Sequence, residues 1–135
     1  MKGSRTVWHS LIWGGIFAGL SVLGGAIGSH LLKEKISTQA LEQFQTGNQY
    51  LQMHAFALLI TGLGAYLFPA GMWRRCFIFF LAGILLFCGS LFLISLKNLI
   101  GFSIPGIHFV TPMGGLAFIA GWVCFVVSIF KIRLS

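Results

Sequence analysis

Residues 7–29, 51–68, 76–96 and 113–130 form four apolar runs without a charged side chain among them. All nine Lys and Arg residues and both acids, Glu34 and Glu42, stand between or outside these runs. A Lys, Arg or Asp at the centre of a membrane helix costs roughly 2.5–3.5 kcal/mol on the insertion scale, so a chain that keeps every charge out of its apolar runs is composed for lipid. A span needs about 20 apolar residues, with a usual range of roughly 17–25. The first and third runs meet this easily, and the second and fourth lie near the short end. Buried helices of a soluble protein are a poor alternative. With 57% hydrophobic and 8% charged residues, too little polar surface remains to cover such a core. The expected architecture is an all-α membrane protein, a four-transmembrane-helix bundle forming a single integral membrane domain over residues 1–135.

The formal net charge of +7 does not point to nucleic acid, because the cations form small islands beside the spans and not one basic stripe. They read instead as a topology signal. Lys2, Arg5, Arg74, Arg75, Lys131 and Arg133 fall on one side of a four-span arrangement; Lys33, Lys35 and Lys97 fall on the other, with both acids. The positive-inside rule then places both termini in the cytoplasm. The first run is longer than the core of a signal peptide, about 7–15 residues, and is expected to be retained as a span. Cys76, Cys88 and Cys124 show no Cys-x-x-Cys spacing and read as small buried hydrophobes.

Glycine is concentrated in the first run. Gly15/Gly19 and Gly24/Gly28 have the spacing of a Gly-x-x-x-Gly seam, and Gly114, Ala117 and Gly121 give the fourth run a similar small face. Small residues let helix backbones approach closely in lipid, where packing replaces the hydrophobic effect between helices. The first span is therefore expected to be the most enclosed, packed within its own chain in preference to forming a homodimer seam, with Gly15, Gly19, Gly24, Gly28, Gly89 and Gly121 as helix-packing residues. Between Ser37 and Tyr50 polar residues surround Leu41, Phe44 and Leu51 at roughly helical spacing. This predicts a short amphipathic helix between spans one and two, capped by Ser37 or Thr38 and broken near Gly47 and Asn48. Residues 99–110 read as an interfacial loop, and Thr111 with Pro112 as the cap and first turn of the fourth helix.

Histidine is the one residue type here suited to demanding chemistry. In this topology His30 ends the first span and His54 opens the second on the same side, where His108 also lies; His9 is near the opposite face. Three imidazoles at one membrane level is the donor type a transition metal or haem uses. No two histidines have i, i+3 or i, i+4 spacing, however, and a structural polar cluster of His30 and His54 with Gln49 or Gln52 is the preferred reading, with no metal and no cofactor. Proton-coupled transport of the kind run by small four-span exporters needs an intramembrane carboxylate, and the runs hold none. Trp8 and Trp73 fit an inner aromatic belt, while Phe79, Phe80, Phe87 and Phe92 read as packing or lipid-facing surface and not as a quinone cleft.

Several stretches resemble one known family in order along the chain. Gly24-Gly25-Ala26-Ile27-Gly28-Ser29-His30 is similar to the Gly-Ala-Phe-Gly-Ala-His signature of the small YgdD/YwdK-type bacterial inner-membrane proteins. Met53-His54-Ala55-Phe56-Ala57-Leu58 is similar to their His-Ala-x-Ala-Leu. Phe87-Cys88-Gly89-Ser90-Leu91-Phe92 resembles their Phe-Ser-Gly-Ser-Leu-Tyr, departing at Cys88 and Phe92. Thr111-Pro112-Met113-Gly114-Gly115 and Gly121-Trp122 resemble the closing motifs. The resemblance implies a multi-pass protein of the bacterial inner membrane, and it supplies no catalytic residue, substrate or cofactor, because the family's function is unknown. The expected site is a small-residue polar pocket of His30, His54, Ser90, Thr111 and Gly114 that locks helices together or receives a lipid headgroup or small apolar ligand. The expected function is non-enzymatic: structural, accessory or lipid-interacting. A small transporter or channel for an uncharged or lipidic solute is the alternative, and a His-ligated metal or haem protein the third reading. The bilayer is the expected partner and nucleic acid is not; a homo-oligomer or a second membrane protein is left open.

Overall fold

The computed structural model describes residues 2–134. Helix α1 (Lys2–Ala26) runs on through a π-helical segment (Ile27–Leu32); α2 spans Thr38–Leu67. Helix α3 (Trp73–Gly83) continues through a second π segment (Ile84–Cys88) into α4 (Gly89–Ile100), and α5 is Ile107–Leu134. Together these make four helices long and apolar enough to cross a membrane: Arg5–Leu32, Thr38–Leu67, Trp73–Ile100 and Ile107–Arg133. The four spans anticipated from the apolar runs are all present, three extended at both ends and the second at its start.

The extensions have physical causes. Ser37 accepts a hydrogen bond from the Ala40 N–H at 3.2 Å and caps α2, so the helix starts at the head of the polar stretch. The anticipated amphipathic helix is therefore the first part of α2 itself. Its 30 residues measure about 45 Å at about 1.5 Å per residue, well over the roughly 30 Å hydrocarbon core, so several turns stand in the headgroup layer. Gly47 does not break the helix, because it is buried where an added Cβ would lie 3.1–3.4 Å from Phe92 and Leu91 side-chain atoms. Likewise α5 begins five residues before Pro112, which sits inside the helix and not in its first turn. The turn that delivers it uses Gly101 (φ 65°) and Gly106 (φ 77°) in the left-handed region open to glycine. At the opposite end, the link from α2 to α3 is tied down. Trp73 Nε1 donates to Phe68 O at 2.7 Å, and the Met72 N–H donates to Ser128 Oγ of α5 at 2.9 Å. Trp73 is 3% exposed, so it is a core residue and not part of an interfacial belt, whereas Trp8 is 63% exposed.

Two antiparallel seams organise the bundle, and both are built on glycine. Between α3 and α5, a methyl group at Gly83 would overlap the Phe118 ring, one at Gly121 would lie 2.6 Å from Phe80, and one at Gly114 would overlap the backbone at Phe87. The pairs 80 with 121, 83 with 118 and 87 with 114 step in opposite directions by three and then four residues, one register held along the whole crossing. Between α1 and α2 the pairing is Ser10 with Gly62, Gly24 with Asn48 and Gly28 with Phe44, with Leu59 seated on Gly14.

The small residues that pack are only partly those anticipated. Gly24, Gly28 and Gly121 lie in these seams, whereas a Cβ at Gly15, Gly19 or Gly89 would meet nothing within 4 Å. The first span is also not the most enclosed: 22% of its apolar window is buried, against 44% for the second. It leans almost wholly on α2, so the Gly15/Gly19 face points away from the rest of the chain.

Candidate functional site

The residues anticipated as one pocket occupy three separate places. His54 lies 16 positions into α2 and is 2% exposed. Its ring stacks on Phe118 with centroids 3.5 Å apart and an interplanar angle of 11°, and Phe80 lies at 5.8 Å. Trp122 Nε1 donates to His54 Nε2 at 3.2 Å. That bond makes Nε2 the acceptor, so Nδ1 carries the proton and donates to the Tyr50 carbonyl at 2.9 Å. Both ring nitrogens are thereby committed. The imidazole is the polar centre of an aromatic cluster joining α2, α3 and α5, with no lone pair left for a metal in this geometry.

Ser90 and Thr111 do meet: their hydroxyl oxygens are 2.6 Å apart, and the Ser90 hydroxyl is also 2.9 Å from Phe87 O. Ser90 is buried. This pair ties α4 to α5 at the level where Gly114 admits the Phe87 backbone, so Thr111 serves as an interhelical link and not as a cap. The second π segment ends immediately before Gly89 and Ser90; such bulges offset the helical register and recur at functional sites.

His30 takes no part in either cluster. It is exposed in the π-helical end of the first span. From the pairing of Gly24 with Asn48 and Gly28 with Phe44, His30 stands level with Glu42 of α2, about twelve helical residues or roughly 18 Å along the axis from His54. His108, in the first turn of α5, is exposed too. The three imidazoles therefore do not converge.

The seam between α1 and α2 holds a polar arrangement that was only partly legible. A groove of about 280 Å³ has a floor of Gly24, Gly25 and Gly28 with Ser29 beside it, and a facing wall of Gln45, Asn48, Gln49 and Gln52 with Phe44. Four primary amides thus share one stretch of α2, at spacings of three and four that put them on one face. Asn48 anchors the seam: its Nδ2 donates to Ser21 O at 2.9 Å. Its Oδ1 is buried without a hydrogen-bond partner, as is Ser10 Oγ lower in the same seam. In sequence Asn48 reads as part of a helix break; the signal for the groove is the amide periodicity running through Gln45, Asn48 and Gln52. Each amide offers two donors and an acceptor and carries no charge. The groove suits a neutral partner with hydroxyl or carbonyl groups, reached through the exposed amides of Gln45, Gln49 and Gln52, since Asn48 and Phe44 already cover Gly24 and Gly28.

A family profile described as a protein of unknown function, DUF423, matches residues 24–115. That stretch includes both walls of the groove, His54, Ser90, Thr111 and Gly114. The chain is 38% identical to the UPF0382 membrane protein YwdK of Bacillus subtilis over 122 residues, covering 90% of this chain and 95% of that protein. It is 34% identical to the UPF0382 membrane protein SAB0533 of Staphylococcus aureus, over 90% of this chain and 94% of that one. It is also 34% identical to the UPF0382 inner membrane protein YgdD of Escherichia coli K12, over 91% and 90%. No solved structure matches the chain.

Proposed function

The chain belongs to the DUF423 family of membrane proteins, and from that footing we propose that it is a non-enzymatic, lipid-interacting protein that holds a lipid headgroup in the groove between α1 and α2. The observation that carries this reading is the row of amides of Gln45, Asn48, Gln49 and Gln52 along the groove, facing the glycine-rich end of the first span. A row of neutral amides at this position calls for a partner that returns their hydrogen bonds without bringing charge, as the hydroxyls and ester carbonyls of a lipid do.

The filled seam below the groove favours a bound lipid over a conducted solute. Leu59 seats on Gly14, and Ser10 and Leu11 seat on Gly62, so the groove is closed toward the other end of the bundle. His54 supports the non-enzymatic part of the proposal, since both its nitrogens are engaged in packing bonds.

Mass spectrometry of lipids retained by the purified protein tests the proposal. A stoichiometric lipid is expected on the native chain, and its loss is expected in a Gln45→Leu, Gln49→Leu double variant that still folds. Equal retention by the two proteins, or none by the native one, contradicts it. Visible spectra and metal analysis of the same preparation report directly on the cofactor alternative.

A further inference from the structure

A second cavity, of about 400 Å³, lies at the opposite, basic end of the bundle, between the first turns of α1 and of α3. It is lined by Arg5, Thr6, His9, Arg74, Phe77 and Ile78. Its volume is within the roughly 300–1,000 Å³ of small-molecule sites. Its chemistry is the reverse of the amide groove: two guanidinium groups from different helices, an imidazole and a hydroxyl, against an apolar wall.

The His9 ring is steadied on that wall, stacked on Phe77 with centroids 6.1 Å apart. Both acidic side chains of the protein, Glu34 and Glu42, belong to the far end, so no carboxylate side chain is at hand to neutralise Arg5 and Arg74. Helices α1 and α3 also both begin here, and the positive ends of their dipoles add to the field. A planar guanidinium fork is matched to phosphate oxygens, and basic pockets between membrane helices are suited to anionic headgroups.

We propose that this cavity binds a phosphate group, with Arg5 and Arg74 as its two forks and His9 and Thr6 as further hydrogen-bonding partners. The group comes either from an anionic phospholipid, whose glycerol and upper chain would lie along Phe77 and Ile78, or from a soluble phosphate ester. This site is independent of the amide groove and stands or falls separately from it.

The test uses the full-length protein in phosphatidylcholine nanodiscs, titrated by native mass spectrometry with phosphatidylglycerol in one arm and with glycerol phosphate in the other. Preferential binding of one of them is expected. It should weaken on the order of tenfold in Arg5→Gln and again in Arg74→Gln, as befits loss of a charge-assisted hydrogen bond. Arg75→Gln removes the same charge from the adjacent position, outside the cavity lining, and is expected to stay within about twofold of the native protein, because a charge that makes no direct contact with the bound group acts only through screened solvent. Arg74→Lys keeps the charge, loses the fork and is expected to fall between. A preference for phosphatidylglycerol with this pattern assigns the lipid as the source, and binding of glycerol phosphate with this pattern assigns the soluble ester. Equal losses in Arg74→Gln and Arg75→Gln, or no preference in either arm, overturn the proposal. Variants of Gln45 and Gln49 are expected to leave this binding unchanged, which separates failure here from failure of the groove.

Discussion

The indole Nε1 of Trp122 donates to Nε2 of His54 across 3.2 Å, joining the middle of α2 to α5 in the one place where a buried imidazole meets three aromatic rings of neighbouring helices. That bond fixes the tautomer, and the tautomer fixes the second bond, to Tyr50 O. A residue with the look of a metal or haem ligand is thereby explained as a packing element.

If so, His54→Ala should unfold more readily in detergent, by about 2–4 kcal/mol, through the cavity left beside Phe118 and the orphaned Trp122 donor. Trp122→Phe removes the hydrogen bond and part of the ring surface packed on Phe80 and Phe125, and should cost about 1–3 kcal/mol. Thermal unfolding followed by circular dichroism reads both, and a native-like His54→Ala contradicts the assignment.

The glycine seams make a prediction about which glycines matter. Gly83→Ala and Gly121→Ala push a methyl group into an aromatic ring, and Gly114→Ala pushes one into the Phe87 backbone. Overpacking of this kind costs about 1–3 kcal/mol, with Gly114 at the upper end because backbone yields less than a side chain. Gly15→Ala and Gly19→Ala meet open space and should leave unfolding unchanged. Comparable destabilisation in the two groups would show the register between α3 and α5 to be wrong.

Ser90 and Thr111 should behave as a coupled pair. Ser90→Ala and Thr111→Val should each cost about 1 kcal/mol, and the double variant little more than either alone, because one shared hydrogen bond is lost in every case. Additive losses in the double-mutant cycle would show that the hydroxyls do not bond one another.

Ser128 accepts the Met72 N–H, and no other cap side chain serves the start of α3. Ser128→Ala should cost about 1 kcal/mol and raise amide exchange selectively at residues 68–73. Unchanged exchange in that link contradicts the role given to Ser128.

The number and order of spans were legible because lipid excludes charge, and the charges of this chain mark every boundary. The Ser37 cap was legible too, but the continuity of the helix it opens with the second span was not, since Gly47 and Asn48 read as a break. Splitting that helix placed His54 at a helix end when it lies at mid-bundle, and that error alone produced the anticipated cluster with His30. The Gly-x-x-x-Gly pairs show the same limit: Gly15/Gly19 and Gly24/Gly28 are identical in spacing, and only the position of α2 decides which pair is covered. Ser90 and Thr111 were found through the motifs they sit in, and their 2.6 Å contact follows from the same register that pairs Phe87 with Gly114. Gln45 and Asn48 do not stand out in the sequence because Gly47 and Asn48 read as a break between an amphipathic helix and the second span, which hides that the amides fall on one face of a continuous helix.

The claim that the amide groove holds a lipid is tested most directly by nuclear magnetic resonance on the protein in nanodiscs, with the Gln and Asn side-chain amides labelled. Cross-relaxation from lipid glycerol and headgroup protons to the side-chain amides of Gln45, Asn48 and Gln49 is expected, and it should vanish for the remaining amides in the Gln45→Leu, Gln49→Leu variant. Cross-peaks to water alone at those three side chains in the native protein would contradict the account.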